Sequence, residues 1–477
     1  MFQNKRVIIG RYVILVFIII IASLPIFWQI NNRGINEWDE ARNGVNAYEM
    51  MHNSDYFNLY YDGNVDTWNA KPPLYIWFVV LCNKIFGSNC FSLRLPSAIA
   101  TLAIFIILYI MILRASGKSI ALLTCGIMLS CKAIISIHLG LTGDFDSTFT
   151  LFLICGTYYL WMYVKTRKSN AMLLSAIFFG VAWYTKGTAV FLYLVGIILY
   201  ILFYKRKFFF NKKNVYLSLV VFVIIVFSWF FIQYLYGKSG RDINYGTGNA
   251  IRTMLVQDTW NRLISSKFQG GQPRDFLYII EVLDSKMNIW NYVLYILIIL
   301  KLLKYKKHDY KILYDRLHEN QLLVLGLFII IPTSIILSLS ANKYSWYFGP
   351  YLWIIAYCIA IMISTLSRTW TSILPITLII IIFGYLRQLY EINTFSKCNV
   401  KIGDNIVANR DTIFAIGSLN QDVLLQLKWL NKPIKHIGSP NQVKNLSRAF
   451  IIWDSSLVGL QNEMIKPKGQ IRSFLYN

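Results

Sequence analysis

Apolar runs with few charges, about twelve of them, recur along this chain. A run of about 17 to 25 such residues crosses a bilayer core of roughly 30 Å. No water in that core can satisfy an exposed amide, so each run has to close its own hydrogen bonds as a helix. The runs lie near 7–30, 74–87, 95–113, 119–140, 146–164, 171–185, 188–204, 214–236, 290–303, 321–340, 346–366 and 370–388. The first is too long for a signal-peptide core and ends in no small-residue cleavage pattern, so it reads as a retained anchor. Of 477 residues, 56% are hydrophobic and only 15% charged, and the mean hydropathy is +0.48, far from the soluble norm. The expected fold is an α-helical polytopic membrane protein.

A net charge of +24 would ordinarily point to a nucleic-acid partner. Here the cations form short clusters between apolar runs, at Lys165 to Lys168, Lys205 to Lys207, Lys212-Lys213 and Lys301 to Lys311. Such clusters set topology: they stay cytoplasmic, as do Lys5, Arg6 and Arg11 at the N-terminus. The basic balance therefore speaks of orientation and anionic lipid. The seven cysteines include no CxxC pair, and most sit inside apolar runs, so neither a disulfide framework nor a cysteine metal site is expected.

With the N-terminus inside, the polar loop Asn31 to Pro73 lies outside. It holds Glu37, Asp39, Glu40, Asp55, Asp62 and Asp66, a large share of the 23 acidic residues in the chain, together with Arg42 and Lys71. Its stretch Asp39 to Met51 has helical, amphipathic spacing that suits the interface plane. Pro72-Pro73 fixes φ at the mouth of the next run. Three apolar runs separate this loop from Asp144, which should share its face. One of the three must therefore fail to cross, either 74–87 or 119–140.

Ionisable groups at membrane level are functional candidates by default. Asp39 or Glu40 has the chemistry of a general base toward an acceptor hydroxyl or amine, with Arg42 holding an anionic donor. The same residues also suit a solvated helix with ordinary ion pairs. Lys71 is either a point charge for phosphate or a snorkelling anchor. In Thr142-Gly143-Asp144-Phe145-Asp146, the carboxylates either cap the next helix or face a cleft. Arg94, Lys186 and Lys343 border apolar sequence, where an unpaired charge costs about 2.5 to 3.5 kcal/mol; they fit a lipid phosphate or an interface anchor. Tyr75 and Tyr347 are substrate-binding candidates, and Tyr344, Trp346 and Tyr347 fit an aromatic belt or a sugar-stacking wall.

A second polar loop, Gly237 to Ile289, is glycine-rich with helical flanks and reads as a mobile lid. After Tyr390 the pattern turns soluble. Strand-like runs at Thr412 to Ile416, Ile434 to Ile437 and Ala449 to Trp453, with a helix at Gln421 to Leu430, predict a small α/β domain. The expected division is 1–390 for the membrane domain and 391–477 for this one, whose role is packing or docking.

The order Trp38-Asp39-Glu40-Ala41-Arg42, Lys71-Pro72-Pro73-Leu74, Arg94-Leu95-Pro96-Ser97-Ala98, Asp144, Lys186-Gly187, then Lys343 with Tyr347 and Pro350 resembles the GT-C membrane glycosyltransferases. The nearest branch is the protein O-mannosyltransferase and lipid A aminoarabinose transferase superfamily. The resemblance covers roughly residues 5 to 390. It implies an inverting transferase that takes a sugar from a polyprenyl-phosphate carrier and delivers it to a lipid, glycan or protein acceptor on the non-cytoplasmic face, in a bacterial inner membrane. By it, Asp39 is the catalytic base, Glu40 stands beside it, and Asp144 is a second essential carboxylate. Arg42, Lys71, Arg94, Lys186 and Lys343 hold the donor phosphate. Aminoarabinose transferases carry a glutamate just before Lys-Pro-Pro, part of a zinc site completed by a loop histidine. Here that position is Ala70 and the loop 237–289 has no histidine, so no metal or other cofactor is expected. The reading from a different class is a transporter or flippase of a lipid-linked glycan.

Overall fold

The computed structural model describes residues 2–476 apart from 29, 37, 134, 210–211, 243–245, 265–276, 305–318, 366–369, 396–412, 417–420, 432, 438–449 and 455–471. Eight helices lead the chain: α1 (Phe2–Phe27), α2 (Asp39–Asn53), α3 (Leu74–Phe86), α4 (Cys90–Ser116), α5 (Lys118–Leu129), α6 (Phe145–Thr166), α7 (Ser169–Lys186) and α8 (Ala189–Leu199). Apolar helices follow at Lys213–Tyr236, Ile289–Lys304, Gln321–Leu339, Leu352–Thr365 and Trp370–Phe395. Six helical stretches are long and apolar enough to cross a membrane by length and composition, and shorter apolar helices lie between them. This is an integral, multi-pass membrane protein.

Burial sorts the spans. α6 is the centre of the bundle, packed against α4 and α7, with most of its length buried. Lys213–Tyr236 instead exposes Ile224, Phe227 and Phe231, and Trp370–Phe395 exposes Ile379 and Phe383. Those faces are the ones for lipid. One end of the bundle gathers the basic clusters: Lys165 Nζ donates to the Arg114 carbonyl at 3.2 Å, and Arg167 sits 3.3 Å above the Phe208 ring. The opposite end carries α2 and the first loop.

Contacts along α3 explain how Asp144 reaches that same end. Tyr75, in the first turn of α3, bonds Ser97 of α4 at 3.0 Å. Two turns later Asn83 accepts from Ser92 of α4 at 2.7 Å. Both ends of α3 thus touch the first two turns of α4, and a 13-residue helix is only about 20 Å long. α3 lies across the mouth of α4 and does not traverse; of the two candidate runs, 74–87 is the one that stays on its own side.

Within the first loop, β1 (Tyr60–Tyr61) and β2 (Asn64–Val65) form a short antiparallel ribbon. Its turn is Asp62-Gly63 with φ of 51° and 80°, the left-handed pair that a tight hairpin demands. The second loop holds another ribbon, β3 (Gly240–Asp242) with β4 (Gly246–Gly248), then helical turns at 250–264 and the helix Tyr278–Met287. Much of the expected lid, Gly270 and Gly271 included, falls outside the described residues.

Past Phe395 the described residues form a parallel sheet of β5 (Ile413–Ile416), β6 (Ile434–Ile437), β7 (Phe450–Asp454) and β8 (Arg472–Tyr476), in the order β6-β5-β7-β8. The strand β8 has no counterpart in the sequence reading. The helix Gln421–Trp429 docks on α2: Leu425 fills the space above Gly44, where an added Cβ would lie 2.4 Å from its methyl carbon. Lys428 reaches Glu49 at 2.6 Å, and His436 reaches Asp62 at 2.9 Å. Replacing Gly44 with valine should cost about 1 to 3 kcal/mol by overpacking. It should also undock this helix, which limited proteolysis would register as faster cleavage between residues 395 and 421 than in the wild type.

Candidate functional site

The site begins with how α2 is held. Glu40, in its first turn, is fully buried and accepts four hydrogen bonds. Arg94 supplies two, at 2.6 and 3.0 Å, and the backbone N–H groups of Gly143 and Asn36 supply the others at 2.8 and 2.7 Å. The remaining Arg94 donors go to the carbonyls of Ile30, Arg33 and Gly34. Every N–H of that guanidinium is used. Gly143 is confined here too, since a Cβ would sit 2.9 Å from the Leu93 carbonyl.

A second network ties the loop to the same helix. Arg42 forms a two-pronged pair with Asp66 at 2.9 and 2.8 Å and lies over the rings of Tyr61 and Trp68. Asn69 donates to Asn43 and Asn46, and Asn46 donates to Asp66. Asn69 then accepts from Lys71 at 3.1 Å. Lys71 Nζ lies 4.9 Å from the Phe145 ring, and among the described residues no carboxylate is within ion-pair distance of it.

At the first residue of α2, the Asp39 carboxylate keeps 24% of its accessible surface. The non-helical segment between α5 and α6 brings His138 against it, with Nδ1 3.3 Å from Asp39 Oδ2 and 2.8 Å from Asp144 Oδ2. Asp144 is the N-cap of α6, where its Oδ1 accepts from the Phe145 N–H at 2.7 Å. The capping and site-facing readings of Asp144 are thus both realised, one on each oxygen. Two residues on, Asp146 pairs with Lys186 at the end of α7. Lys186 Nζ sits 5.8 Å from the Tyr347 ring, and the Tyr347 hydroxyl accepts from Arg262 at 3.0 Å. His138 stacks on Trp346 at 4.2 Å, which stacks on Tyr344 at 4.6 Å.

The charges act on one another. Burial and the neighbouring Asp144 charge push the Asp39 carboxyl above the ordinary range, only partly offset by Lys71, His138 and Lys186. Burial would raise Asp144 as well, but the His138 hydrogen bond and charge outweigh it and hold Asp144 low. Burial opposes the His138 imidazolium, yet the same partnership raises its pKa. One imidazole and two carboxylates, with their ligand atoms all within 4.8 Å, also form a donor set that a divalent cation can use. Ala70 is a buried methyl and offers no ligand atom to a zinc ion.

The sequence-derived candidates therefore separate. Asp39, Asp144, Lys71, Lys186 and Tyr347 gather at one end of the bundle. Glu40 and Arg94 are there too, but turned into a buried pair whose atoms are spent on each other and on backbone. Arg42 is held by Asp66. Tyr75 is fully buried with its hydroxyl on Ser97, beneath the site. Lys343 lies 5.9 Å from the Tyr278 ring, at the same end. His138 was missed. Its signal was an imidazole in the interrupted run 119–140, six residues past Lys132 and six before Asp144.

The fold is that of the GT-C membrane glycosyltransferases. The crystal structure of ArnT from Cupriavidus metallidurans bound to undecaprenyl phosphate matches with a TM-score of 0.67, over 97% of this chain and 90% of that one, at 14% identity. In sequence, residues 70–232 match the family described as dolichyl-phosphate-mannose-protein mannosyltransferase. That segment carries Lys71, Arg94, Asp144 and Lys186 and leaves Asp39 outside. An uncharacterized protein of Aquifex aeolicus (strain VF5) is 24% identical over 209 residues, 44% of this chain and 41% of its own. The undecaprenyl phosphate-alpha-4-amino-4-deoxy-L-arabinose arabinosyl transferase of Pseudomonas aeruginosa (strain LESB58) is 23% identical over 195 residues, 40% of this chain and 35% of its own. The chain spans less than half the length of the curated relatives it matches.

If Arg94 serves the frame, Arg94→Met strands the Glu40 carboxylate without its partner. The expected loss is about 3 to 5 kcal/mol of stability, read as a clearly lowered melting temperature in detergent. A variant with wild-type melting would count against that role.

Proposed function

We propose that this chain is an integral-membrane inverting glycosyltransferase that moves a sugar from a polyprenyl-phosphate donor to an acceptor on the non-cytoplasmic face. The observation that carries the reading is the meeting of Asp39 and Asp144, more than a hundred residues apart, beside Lys71 and the Lys186–Asp146 pair. A partly exposed carboxylate and a cation with no carboxylate in ion-pair range among the described residues are the two groups an in-line displacement needs. Asp39 takes the proton from the acceptor hydroxyl or amine. The acceptor atom bonds to the anomeric carbon as the bond from that carbon to the phosphate oxygen breaks. The electron pair leaves on the phosphate, whose growing charge Lys71 meets. No metal is needed for these steps.

The donor class is supported by the matched Pseudomonas relative, named for an undecaprenyl-phosphate sugar. The basic clusters at the far end of the bundle support a site that faces away from the cytoplasm, in a bacterial inner membrane, toward the periplasm or exterior. The acceptor in this reading is an envelope lipid, glycan or protein. A transporter would line a path at mid-depth with charge, whereas the Glu40–Arg94, Arg42–Asp66 and Lys186–Asp146 pairs all gather with Asp39 at one end.

Purified protein supplied with undecaprenyl-phosphate-linked sugars and envelope extracts provides the test. Asp39→Asn should lower turnover about 10²- to 10⁴-fold while expression and melting stay as in the wild type. Wild-type turnover in that variant would remove the base. Lys71→Ala should raise the donor KM roughly 10- to 100-fold, the loss of one charged hydrogen bond, with little change in acceptor preference. An unchanged donor KM would remove the phosphate contact.

A further inference from the structure

We propose that His138 is a positioning residue of this site: its imidazole, anchored on Asp144, holds one oxygen of Asp39 so that the other faces the acceptor. The proposal rests on the glycosyl-transfer reading above. It starts from an asymmetry at Asp39. Oδ2 lies 3.3 Å from His138 Nδ1, within ion-pair distance, and neither carboxylate oxygen is in a hydrogen bond among the described residues. A carboxylate that must collect a proton needs one oxygen fixed and one open.

The ring is held on one face and at its Nδ1 edge, and the backbone of the residue is pinned beside it. Its own backbone N–H donates to Thr142 Oγ1 at 2.9 Å, one face stacks on Trp346, and the Asp144 bond fixes the Nδ1 edge. The residue adopts φ of 66°, a left-handed conformation that glycine enters freely and that asparagine and histidine adopt more often than other side chains. Strain of this kind, on the order of 1–3 kcal/mol, persists where the surroundings over-determine it. Nothing in the local backbone requires an imidazole; the two carboxylates do. Asp39 and Asp144 come from separate segments, and without an imidazole that bonds Asp144 and faces Asp39 their like charges would turn Asp39 away. Lys71 and the Lys186–Asp146 pair are the other charges acting on Asp39 and Asp144, and the Lys186 hydrogen bond is given to Asp146.

Two substitutions separate the roles. The side-chain amide nitrogen of His138→Asn reaches where Nδ1 lies and tolerates the backbone; His138→Gly relieves the backbone and removes the donor. The expected result is kcat within about fivefold of wild type for the asparagine variant and a fall of about 10²-fold for glycine, as for an ångström-scale misplacement, with donor KM within twofold in both. Wild-type kcat in the glycine variant, or an asparagine variant as slow as glycine, overturns the proposal. So does a stoichiometric divalent metal in the purified wild type, by elemental analysis, that both variants lose; His138 is then a ligand. Proton NMR of histidine-labelled wild type gives a readout that does not depend on turnover or on the fate of a variant. One far-downfield Nδ1–H signal should be present, vanish in Asp144→Asn and shift in Asp39→Asn, and its absence from the wild type overturns the proposal. A wild type that transfers no sugar but shows that signal sinks the function and leaves the positioning bond standing.

Discussion

The buried pair between Arg94 and Glu40 is the tie on which the rest of the site depends. Taking two charges out of water is expensive, and the cost is met here only because every donor on the arginine and four acceptor positions on the glutamate are used. The partners span the molecule. Glu40 belongs to α2, Arg94 to α4, the carbonyls of Ile30, Arg33 and Gly34 to the exit of α1, and the Gly143 N–H to the turn before α6. Asp39 is next to Glu40 and Asp144 is next to Gly143, so this one knot sets the distance between the two carboxylates that flank His138. Residues singled out in the sequence for chemistry turn out to hold the frame, and their neighbours point outward.

A division of labour follows among the cations. Arg42, Arg94 and Lys186 each lie against a carboxylate, which makes them parts of a rigid lattice. Among the described residues Lys71 donates to a neutral amide oxygen, itself fixed by Asn43 and Asn46, and has no carboxylate in ion-pair range, so its ammonium is oriented there without being neutralised. A charge prepared in this way costs little to reorganise when an anion arrives, which is how preorganised electrostatics lowers a barrier.

Most of the helices were legible because a span in lipid is written as an uninterrupted apolar run, and each run has a helix at its place. What periodicity and length could not give was whether α3 crosses. That depends on where Tyr75 and Asn83 find partners on α4, a tertiary matter. The strands of the C-terminal segment were readable from alternation and flanking turns, but β8 was not. For the site, motif order pointed to Asp39, Lys71, Asp144 and Lys186, which the fold brings near one another, since each marks a polar break in apolar sequence. The same logic could not tell a side chain turned inward, as with Glu40, Arg94 and Tyr75, from one turned outward. His138 escaped because a single histidine carries no pattern; its meaning lies in two carboxylates remote in sequence or in space until the chain folds.

The docking of Gln421–Trp429 on α2 has a bearing on timing. α2 is among the first elements a ribosome would deliver to the membrane, and the helix that covers its back emerges hundreds of residues later. Until Leu425 settles over Gly44 and Lys428 finds Glu49, the outward-facing helix that carries Asp39 lacks one of its two walls. The nascent chain would pass through most of its insertion with the Asp39 cluster unfinished, and the completed arrangement would arrive only as a post-insertion event.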